Sequence, residues 1–527
     1  MRTTIRHRME HLAAAAVTVL AAGAAVALVA SIVVAPAHVD EAHAAGMPGM
    51  AMMGSSARAA AAPQPEIVSA LAPASAPQSL FIPPLLGSRL EGSTRVFHLT
   101  AQAGTITRFG ERLTTAGFNG GYLAPTIRVR RGEHVRVDID NALAEPTTVH
   151  WHGLHVAAAD DGGPYGLIAA GGSRHPEFDV TQQATTLWYH PHVMGRTAPQ
   201  VGRGMAGLLE IDDPASAAQR ALPHSYGVDD IPLVLQGAPL PVSGAAPTAR
   251  RPLLVNGTPN AVLRRAAGRV RLRMVNATAG AILGVSIVGA VRVRQVGSDG
   301  GLLPSAVATR SVVLGPSERA ELVVDLRRGS RVSVQSSVLT DTGAGAGAAQ
   351  AAYLRGVRRP ADTGTLLTLV NTARSLPVAR ALPVRLNAAP ALDLSHAVQR
   401  EMVLGPTIQI NGQLMQDTDG GAAMAGTLRI PLGQTEVWTI TNTSQLTHVF
   451  HVHDIEFEVL DRDGSAPPAS ERGWKDSVHV PPGGELRIAM QFTDFADPDD
   501  PYMFHCHVLR HEDAGMMGQF VVVPAAA

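Results

Sequence analysis

The only cysteine of the 527-residue chain lies in a C-terminal string that begins His505-Cys506-His507. A further histidine, His511, and a methionine, Met516, follow at intervals of five residues. One thiolate, imidazoles and a thioether form the ligand set that suits an electron-transferring blue copper. Side chains alternate faces in an extended segment, so Cys506 points away from its two histidine neighbours, which share a face roughly 6–7 Å apart. The string therefore predicts one metal at the cysteine and others at the flanking histidines.

Histidines recur in pairs separated by one residue. The four pairs are His150-Trp151-His152, His190-Pro191-His192, His451-Val452-His453 and His505-Cys506-His507. Each pair on a strand presents two imidazoles on one face, which suits two neighbouring metals. A single pair means little in a chain with 21 histidines, but four pairs form a pattern. Because no carboxylate stands within the pairs, the pattern favours copper.

The pairs fall into two groups, at residues 150–192 and 451–507, with no ligand motif between them. A cluster that uses all eight imidazoles must therefore lie where the first and last domains meet. The intervening segment is then predicted to be a spacer domain that sets their relative position.

From about Phe81 onward the chain consists of short β-type runs separated by Gly, Pro and Asn. Examples are Arg95–Thr100, Thr126–Arg130, His134–Ile139 and Gly207–Ile211. Helical periodicity is scarce, so the pattern predicts an all-β chain of Greek-key β-sandwich domains. The same pattern of short runs and turns returns in two later blocks. A repeated unit is indicated by two pairs of related phrases, VNG with ING and RLRMVNAT with EVWTITNTS. The predicted domains span residues 81–215, 216–385 and 386–527.

The N-terminal residues 1–44 are predicted to be a signal peptide or membrane anchor. Arg2, Arg6 and Arg8 precede an apolar run over residues 12–35, and Ala42-His43-Ala44 resembles a cleavage site. The run is also long enough to span a bilayer, so an uncleaved anchor is the alternative. Either way we expect export, with the protein periplasmic, on the cell surface or secreted.

Residues 45–80 are rich in Ala, Pro and Ser and are predicted to be a disordered tether. The methionines in Met47–Met53 leave open a second interpretation, a soft site for cuprous ions. The formal net charge of -1 gives no bias toward nucleic acid, and no nucleic-acid partner is expected. A single cysteine excludes an internal disulfide framework, and metal ligation explains an unpaired cysteine in an exported protein.

The histidine motifs resemble those of the three-domain multicopper oxidases, the group of laccases, bilirubin oxidases and bacterial cuprous oxidases. The resemblance spans about residues 90–527. Its four motifs are His150-Trp-His152-Gly153, His190-Pro-His192, His448-Val-Phe-His451-Val-His453 and the cysteine string. Residues 161–164 and 511–517 are similar to the versions in bacterial periplasmic copper-efflux oxidases. The resemblance implies three cupredoxin-like Greek-key β-sandwich domains.

The resemblance also implies four copper ions and their ligands. The type 1 copper would take His448, Cys506, His511 and Met516; the type 2 copper would take His150 and His451; the type 3 pair would take His152, His190 and His507 on one ion, and His192, His453 and His505 on the other. Single electrons from a donor would pass through the Cys506 thiolate to the trinuclear cluster, where O₂ is reduced to water. Family carboxylates at the positions of Asp161 and Glu512 serve the proton supply.

The electron donor is less constrained by the sequence. Family cuprous oxidases have an Asp and a Met where this chain has Ser444 and Leu446. The methionines of the third domain, Met402, Met415 and Met424, are scattered and are predicted to be apolar filler. We therefore expect phenols or similar aromatic donors, as in laccases.

Other functions remain open at this point. Cuprous-ion oxidation in copper tolerance is the alternative within the same family. A copper-storage or electron-transfer protein without turnover is a hypothesis of another class, although it needs no trinuclear histidines. A non-catalytic cupredoxin-like structural protein is expected to have lost ligands, whereas this chain retains them all. His155, beside the first motif, is predicted to lie outside the ligand set.

Overall fold

The structure, a computed structural model, describes residues 68–69, 76–240, 251–339, 363–374, 381–418, 421–423 and 426–525. The predicted signal or anchor segment and the Met47–Met53 cluster lie outside the described residues. Among the described helices, none has both the length and the apolar character needed to cross a membrane.

The predicted all-β fold is confirmed, and the strands form three cupredoxin-like sandwiches. Two short N-terminal strands, β1 (Val68–Ser69) and β2 (Gln78–Ser79), pair with the middle sandwich. The first sandwich contains β3 (Ser88–Glu91), β4 (Thr94–Arg108), β5 (Glu111–Phe118), β6 (Ile127–Arg130), β7 (His134–Asn141), β8 (His150–His152), β9 (Ser173–Arg174), β10 (Glu177–Asp179), β11 (Thr185–His190) and β12 (Gly207–Asp212). One of its sheets has the order β10-β7-β4-β3, with β5 and β9 attached, and the other has the order β6-β12-β11-β8.

The middle sandwich follows directly in the chain. Its strands are β13 (Asp230–Gly237), β14 (Arg251–Val255), β15 (Ala261–Arg265), β16 (Arg269–Asn276), β17 (Leu283–Val288), β18 (Arg292–Ser298), β19 (Gly301–Ala308), β20 (Ser311–Leu314), β21 (Arg319–Asp325), β22 (Arg331–Val338) and β23 (Thr363–Asn371). The sheets have the orders β1-β14-β13-β16-β21-β18-β19 and β2-β15-β23-β22-β17-β20. The middle sandwich is thus completed by strands that precede the first sandwich in the chain.

The third sandwich carries the cysteine string at the end of one strand. Its strands are β24 (Val398–Leu404), β25 (Gln416–Thr418), β26 (Gly421–Ala423), β27 (Thr427–Pro431), β28 (Thr435–Asn442), β29 (His448–Val452), β30 (Glu458–Arg462), β31 (Ser477–Val480), β32 (Glu485–Gln491), β33 (Asp497–Cys506) and β34 (Met517–Val523). The main sheets have the orders β24-β28-β32-β30 and β27-β34-β33-β29-β31, and β25 pairs with β26. The described helices are short: α1 (Ala158–Asp161), α2 (Thr197–Gly202), α3 (Ala217–Ala221), α4 (Leu509–Asp513) and a 3-10 turn (Ala469–Glu471).

Each sandwich has its own hydrophobic core, because alternate residues of each strand point inward. In β7, for example, Val135, Val137 and Ile139 are buried while the residues between them are partly exposed. Trp151 fills the first core and Trp438 the third, whereas the middle core is entirely aliphatic apart from its methionine. The boundaries predicted between the domains stay a prediction.

Three asparagines mark the same corner in the three sandwiches. Asn141, Asn276 and Asn442 end β7, β16 and β28, and each side-chain Nδ2 donates to two backbone carbonyls at 2.8–2.9 Å. Each Oδ1 also accepts the backbone N–H two residues later. The phrases RLRMVNAT and EVWTITNTS therefore have equivalent positions, as the predicted repeat requires.

The shorter phrases VNG and ING are equivalent turns rather than strand segments. Asn256 and Asn411 have positive φ angles of 48° and 52°, and the glycine after each is also left-handed. Each asparagine accepts the backbone N–H of a neighbouring strand, at Val234 and Val403 respectively, over 2.7 Å.

Replacing Asn276 with alanine removes both donor bonds at a fully buried corner. Because two carbonyls then lose their partner, we expect a loss of about 2–4 kcal/mol in the free energy of unfolding. Urea unfolding of the apoprotein measures this loss of stability. The control is Asn119→Gly, at a position with positive φ in an exposed loop. Equal stability of Asn276→Ala and the parent chain contradicts the structural role of this corner.

Candidate metal centre

Each sandwich that bears histidine pairs places them on adjacent strands of one sheet. In the first sandwich β8 and β11 run antiparallel, with His150 opposite His190. In the third, β29 and β33 run antiparallel, with His451 opposite His505. The period of two along each strand then points both histidines of a pair to the same side of the sheet.

The two sheets face each other, so all eight imidazoles of the four pairs form one buried cluster. None of these side chains exceeds 1% exposure. His150 stacks on His453 with a centroid distance of 4.0 Å, and His152 stacks on His451 at 3.8 Å. Both stacks join the first sandwich to the third, so the predicted contact between the outer domains is present.

The potential ligand atoms converge in small groups. Within the described residues, five groups have their ligand atoms within 4.8 Å of one another: His150, His152 and His451; His152, His190 and His507; His192, His453 and His505; His448, Cys506 and His511; and His150, Asp161 and His453. Four of the groups combine histidines from the first and third sandwiches. Neither sandwich could form these groups alone.

The ring nitrogens that face the inside of the cluster are placed to bind a metal rather than to form hydrogen bonds. Among the described residues, His150 Nε2, His152 Nδ1 and His451 Nε2 have no hydrogen-bond partner. His192 Nε2 and His453 Nε2 each lie 3.2 Å from His505 Nε2, so nitrogen faces nitrogen. Buried polar atoms without partners are costly, and a shared cation would satisfy them.

Burial also holds the imidazoles in the neutral form that binds metal. Desolvation lowers the pKa of His453 to about 4 and that of His507 to about 3. The same cause lowers the pKa of His152, His190 and His505 well below the ordinary value. Neutral imidazole is a strong ligand for copper and zinc ions, so the cluster needs no proton loss before binding.

The second site forms around the cysteine, on the opposite face of β33. His448 Nδ1 lies 3.3 Å from Cys506 Sγ, and His511 Nδ1 lies 3.6 Å from the same sulfur. Met516 is fully buried, and its backbone accepts from the Cys506 N–H and donates to the His511 carbonyl. Burial raises the pKa of the Cys506 thiol to about 12, so a bound cation is needed to form the thiolate.

Both predicted proton carriers contact the outer nitrogens of the cluster. Asp161, on α1, places Oδ2 2.8 Å from His453 Nδ1, and its backbone carbonyl accepts from His150 Nδ1. Glu512, on α4, lies 3.4 Å from His192 Nδ1 and 3.3 Å from His505 Nδ1. Burial raises the pKa of Glu512 well above its ordinary value, which favours the protonated form of this carboxyl group.

His155 lies outside these groups. Its Nδ1 is 2.7 Å from Asp454 Oδ1 and its Nε2 is 2.7 Å from Asp494 Oδ1, so both ring nitrogens face carboxylates. Burial opposes charging of this ring, but the two carboxylates together raise the pKa of His155 to about 11. His155 is therefore a cation that ties the first sandwich to the third.

Two residues that the sequence did not reveal hold the cluster from outside. Asp476 precedes β31 and accepts from His451 Nδ1 through its backbone carbonyl (2.7 Å). Its Oδ1 lies 3.1 Å from His152 Nε2. Arg319, from the middle sandwich, donates to both oxygens of Asp476 at 2.6 and 2.5 Å.

Arg319 also reaches the first sandwich, because its Nε donates to the Thr186 carbonyl over 3.1 Å. One fully buried guanidinium therefore contacts residues of all three sandwiches. The middle sandwich, predicted to be a spacer, contributes directly to the surroundings of the metal centre. No motif signals this, since Arg319 lies 157 residues from Asp476 in the chain.

Comparison with known proteins agrees with this arrangement. Family profiles described as multicopper oxidase match residues 100–216 and 397–526. A multicopper oxidase of Staphylococcus haemolyticus is 31% identical over 81% of this chain and 88% of its own length. The cell division protein FtsP of Yersinia pestis is 33% identical over 84% of this chain and 92% of its own.

A solved structure gives the same result. The laccase-like multi-copper oxidase of a lignin-degrading Ochrobactrum is 33% identical to this chain, with a TM-score of 0.72. The match covers 84% of this chain and the whole of that one.

We expect Arg319→Lys to loosen copper binding, because lysine keeps the charge but loses the two-pronged contact with Asp476. A lost contact behind a metal-binding histidine typically costs about 10–100-fold in metal affinity. Chelator competition, followed by copper content and the blue absorbance, separates the two sites. Copper binding at the histidine cluster, where Asp476 contacts His152 and His451, should weaken while the blue band persists.

Arg273→Lys is the matched control. Arg273 is equally buried in the middle sandwich and pairs with Asp230, but it touches no histidine of the cluster. If both variants release copper to the same extent, Arg319 has only a general structural role.

Proposed function

The chain belongs to the multicopper oxidases, copper-dependent oxidoreductases that use O₂, and we propose that it couples one-electron oxidation of phenolic or similar aromatic donors to reduction of O₂ to water. One observation carries the proposal: every imidazole of the four pairs lies in one buried cluster, beside the Cys506 site. A storage or electron-transfer protein needs no such cluster. Relatives named for cell division have similar identity, so the proposal depends on the ligand set.

The groups of donor atoms support the ligand assignment predicted from the motifs. We propose that His448, Cys506, His511 and Met516 hold a type 1 copper, that His150 and His451 hold a type 2 copper, and that His152, His190 and His507, with His192, His453 and His505, hold a type 3 pair. When bound, these four ions supply single-electron acceptance at the cysteine and four-electron reduction of O₂ at the histidine cluster.

Cys506 gives the chain a covalent connection between the two sites. Its sulfur faces His448 and His511, while the adjacent His505 and His507 face the cluster with centroids 5.3 Å apart. The backbone therefore fixes the distance between the sites, because alternation along β33 leaves no freedom in which side chain faces which site. Electron transfer benefits from such a short, rigid connection.

Exclusion of water is a second contribution of the protein. The histidines of the cluster lie at the contact between two sandwiches rather than in an open cleft. A dry, preformed site requires no reorganisation of solvent when charge moves. Protons must then be delivered by side chains, and Asp161 and Glu512 are the carboxyl groups in contact with the cluster's outer nitrogens.

The surface beside His448 suits an uncharged aromatic donor. Ser444 Oγ lies 2.8 Å from His448 Nε2, so this ring nitrogen meets a neutral hydroxyl. Leu446, two residues before His448 in the chain, is 37% exposed and provides an apolar contact. Neither side chain would bind a cuprous ion, whereas both tolerate a phenol ring.

A methionine cluster favours cuprous oxidation as the second candidate. Met415, Met503 and Met517 are buried together, and the partly exposed Met194 packs against them. Thioethers are soft ligands that select Cu(I). The sequence predicts Met415 to be apolar filler, and its position among three other thioethers supports a second role as a Cu(I) ligand. Met194 would provide access from solvent.

Export completes the proposal. We propose that residues 1–44 direct the protein out of the cytoplasm, to the periplasm, the cell surface or the medium, with a membrane tether as the alternative to cleavage. The unpaired Cys506 is consistent with export, since it is fully buried and faces two imidazoles.

The donor is tested by O₂ consumption of the copper-loaded full chain, first with 2,6-dimethoxyphenol and then with Cu(I). We expect turnover of the phenol, with an unchanged rate in the double variant Met194→Leu/Met503→Leu. A higher kcat/KM for Cu(I), reduced about tenfold in this variant, would instead establish the cuprous alternative. Copper binding without O₂ consumption on either donor would refute both.

Replacing Glu512 with glutamine is expected to preserve the blue colour and slow the reduction of O₂. The amide keeps the shape but cannot transfer a carboxyl proton, and such a loss typically costs roughly 10²-fold or more. Stopped-flow reoxidation of the reduced enzyme measures the step. Glu471→Gln, at a partly buried carboxylate that pairs with Arg462 away from the cluster, is the control. Full turnover of Glu512→Gln would remove Glu512 from the mechanism.

A further inference from the structure

The near-zero net charge conceals an uneven distribution of charge. Residues 230–374, which contain the middle sandwich, have 18 arginines, no lysine and seven acidic residues. Arg271, Arg273 and Arg319 are buried in ion pairs, but most of the other described arginines are partly or fully exposed. The middle sandwich therefore has a basic surface of its own.

Many of these arginines lie at one end of the sandwich. Backbone hydrogen bonds join Leu326 to Gly268 (2.8 Å), Val291 to Asp325 (3.0 Å) and Thr372 to Arg265 (2.9 Å), so the segments 264–269, 291–294, 325–331 and 370–374 meet there. Their arginines are Arg264, Arg265, Arg269, Arg292, Arg294, Arg327, Arg328, Arg331 and Arg374. Asp325 is the one acidic residue in these four segments. We call this end of the sandwich the arginine end.

A cavity of ≈ 350 Å³ opens at the arginine end. Arg269, Arg292 and Arg294 line it together with Asp325, and the segment Ala381–Val384 forms the opposite side. The cavity therefore combines three guanidinium groups with an aliphatic wall.

The cavity keeps a positive charge after its internal pairing. Asp325 binds Arg269 with both oxygens, at 2.6 and 3.2 Å. Among the described residues, no carboxylate lies within 4.0 Å of Arg292 or Arg294. Two guanidinium groups are thus available to an anion, and Arg327, Arg328 and Arg331 add charge nearby.

The aliphatic side chains around the cavity favour one class of anion over others. Val384 is 92% exposed and Val291, next to Arg292, is 37% exposed. Exposed aliphatic side chains beside arginines suit a ligand that has a phosphate and a hydrocarbon part. A single-stranded nucleic acid would instead favour stacking on aromatic rings, and no aromatic residue lines this cavity.

We propose that the arginine end is a docking surface for an anionic phospholipid membrane, with one headgroup phosphate in the cavity. Arg292 and Arg294 bind the phosphate, the surrounding arginines are attracted to neighbouring headgroups, and Val384 and Val291 contact the acyl boundary. This contact needs no N-terminal anchor and holds the middle sandwich, rather than the copper-bearing sandwiches, against the membrane. The proposal is independent of the proposed donor.

Cosedimentation of the copper-loaded full chain with vesicles tests this surface. We expect binding to phosphatidylcholine vesicles that contain phosphatidylglycerol, little binding to phosphatidylcholine alone, and weakening as salt is added. Each arginine near an anionic surface adds to the free energy of membrane binding. The double variant Arg292→Gln/Arg294→Gln should therefore reduce the partition coefficient between vesicles and solution roughly 30-fold. Val384→Ser should reduce it further while leaving O₂ consumption unchanged.

Arg112→Gln/Arg429→Gln is the matched control, since it removes two exposed arginines from the first and third sandwiches. Retained binding in this control, with loss in the cavity variant, supports the proposal. Equal loss in both variants would show attraction by general charge and overturn it. The proposal is also overturned if the parent chain does not bind anionic vesicles. The same holds if the cavity arginines are needed for binding duplex DNA or inorganic phosphate but not for binding vesicles.

Discussion

The contact between the outer sandwiches at the histidine cluster is the constraint on which the structure depends. Eight imidazoles are buried there with ring nitrogens facing one another, an arrangement that is unfavourable unless a cation occupies the centre. The Arg319–Asp476 ion pair braces this contact from the middle sandwich. Removing one partner of such a buried pair destabilises a protein by more than the intact pair stabilises it, because the remaining charge stays desolvated. The domain arrangement and the metal centre are therefore inseparable.

The three sandwiches have different tasks within one scaffold. The first and third contribute the imidazoles, and the third alone provides the cysteine site on the opposite face of the same strand. The middle sandwich orients Asp476 through Arg319 and has a basic surface of its own. The proposed aromatic donor would meet the neutral side chains near His448, while the arginine end is proposed to bind a different, anionic partner.

Much of the fold could be predicted because it follows local rules. The predicted runs His134–Ile139 and Gly207–Ile211 lie within β7 and β12, and the repeated phrases mark equivalent corners because Asn276 and Asn442 form the same hydrogen bonds. The phrase ING marks a left-handed turn at Asn411, whose backbone conformation the pattern of short runs did not specify. A glycine after an asparagine indicates such a turn, but it does not predict which strand will donate a backbone N–H to the asparagine.

By itself, the sequence determined which side chains are candidate ligands and which of them share a face. That information is local: alternation along a strand separates Cys506 from His505 and His507 whatever the rest of the chain does. Only the tertiary structure decided what surrounds them. Arg319 and Asp476, and the thioethers of Met415 and its neighbours, come from segments that are separated in the chain. No periodicity links such residues, because their contacts arise from the packing of one sandwich against another.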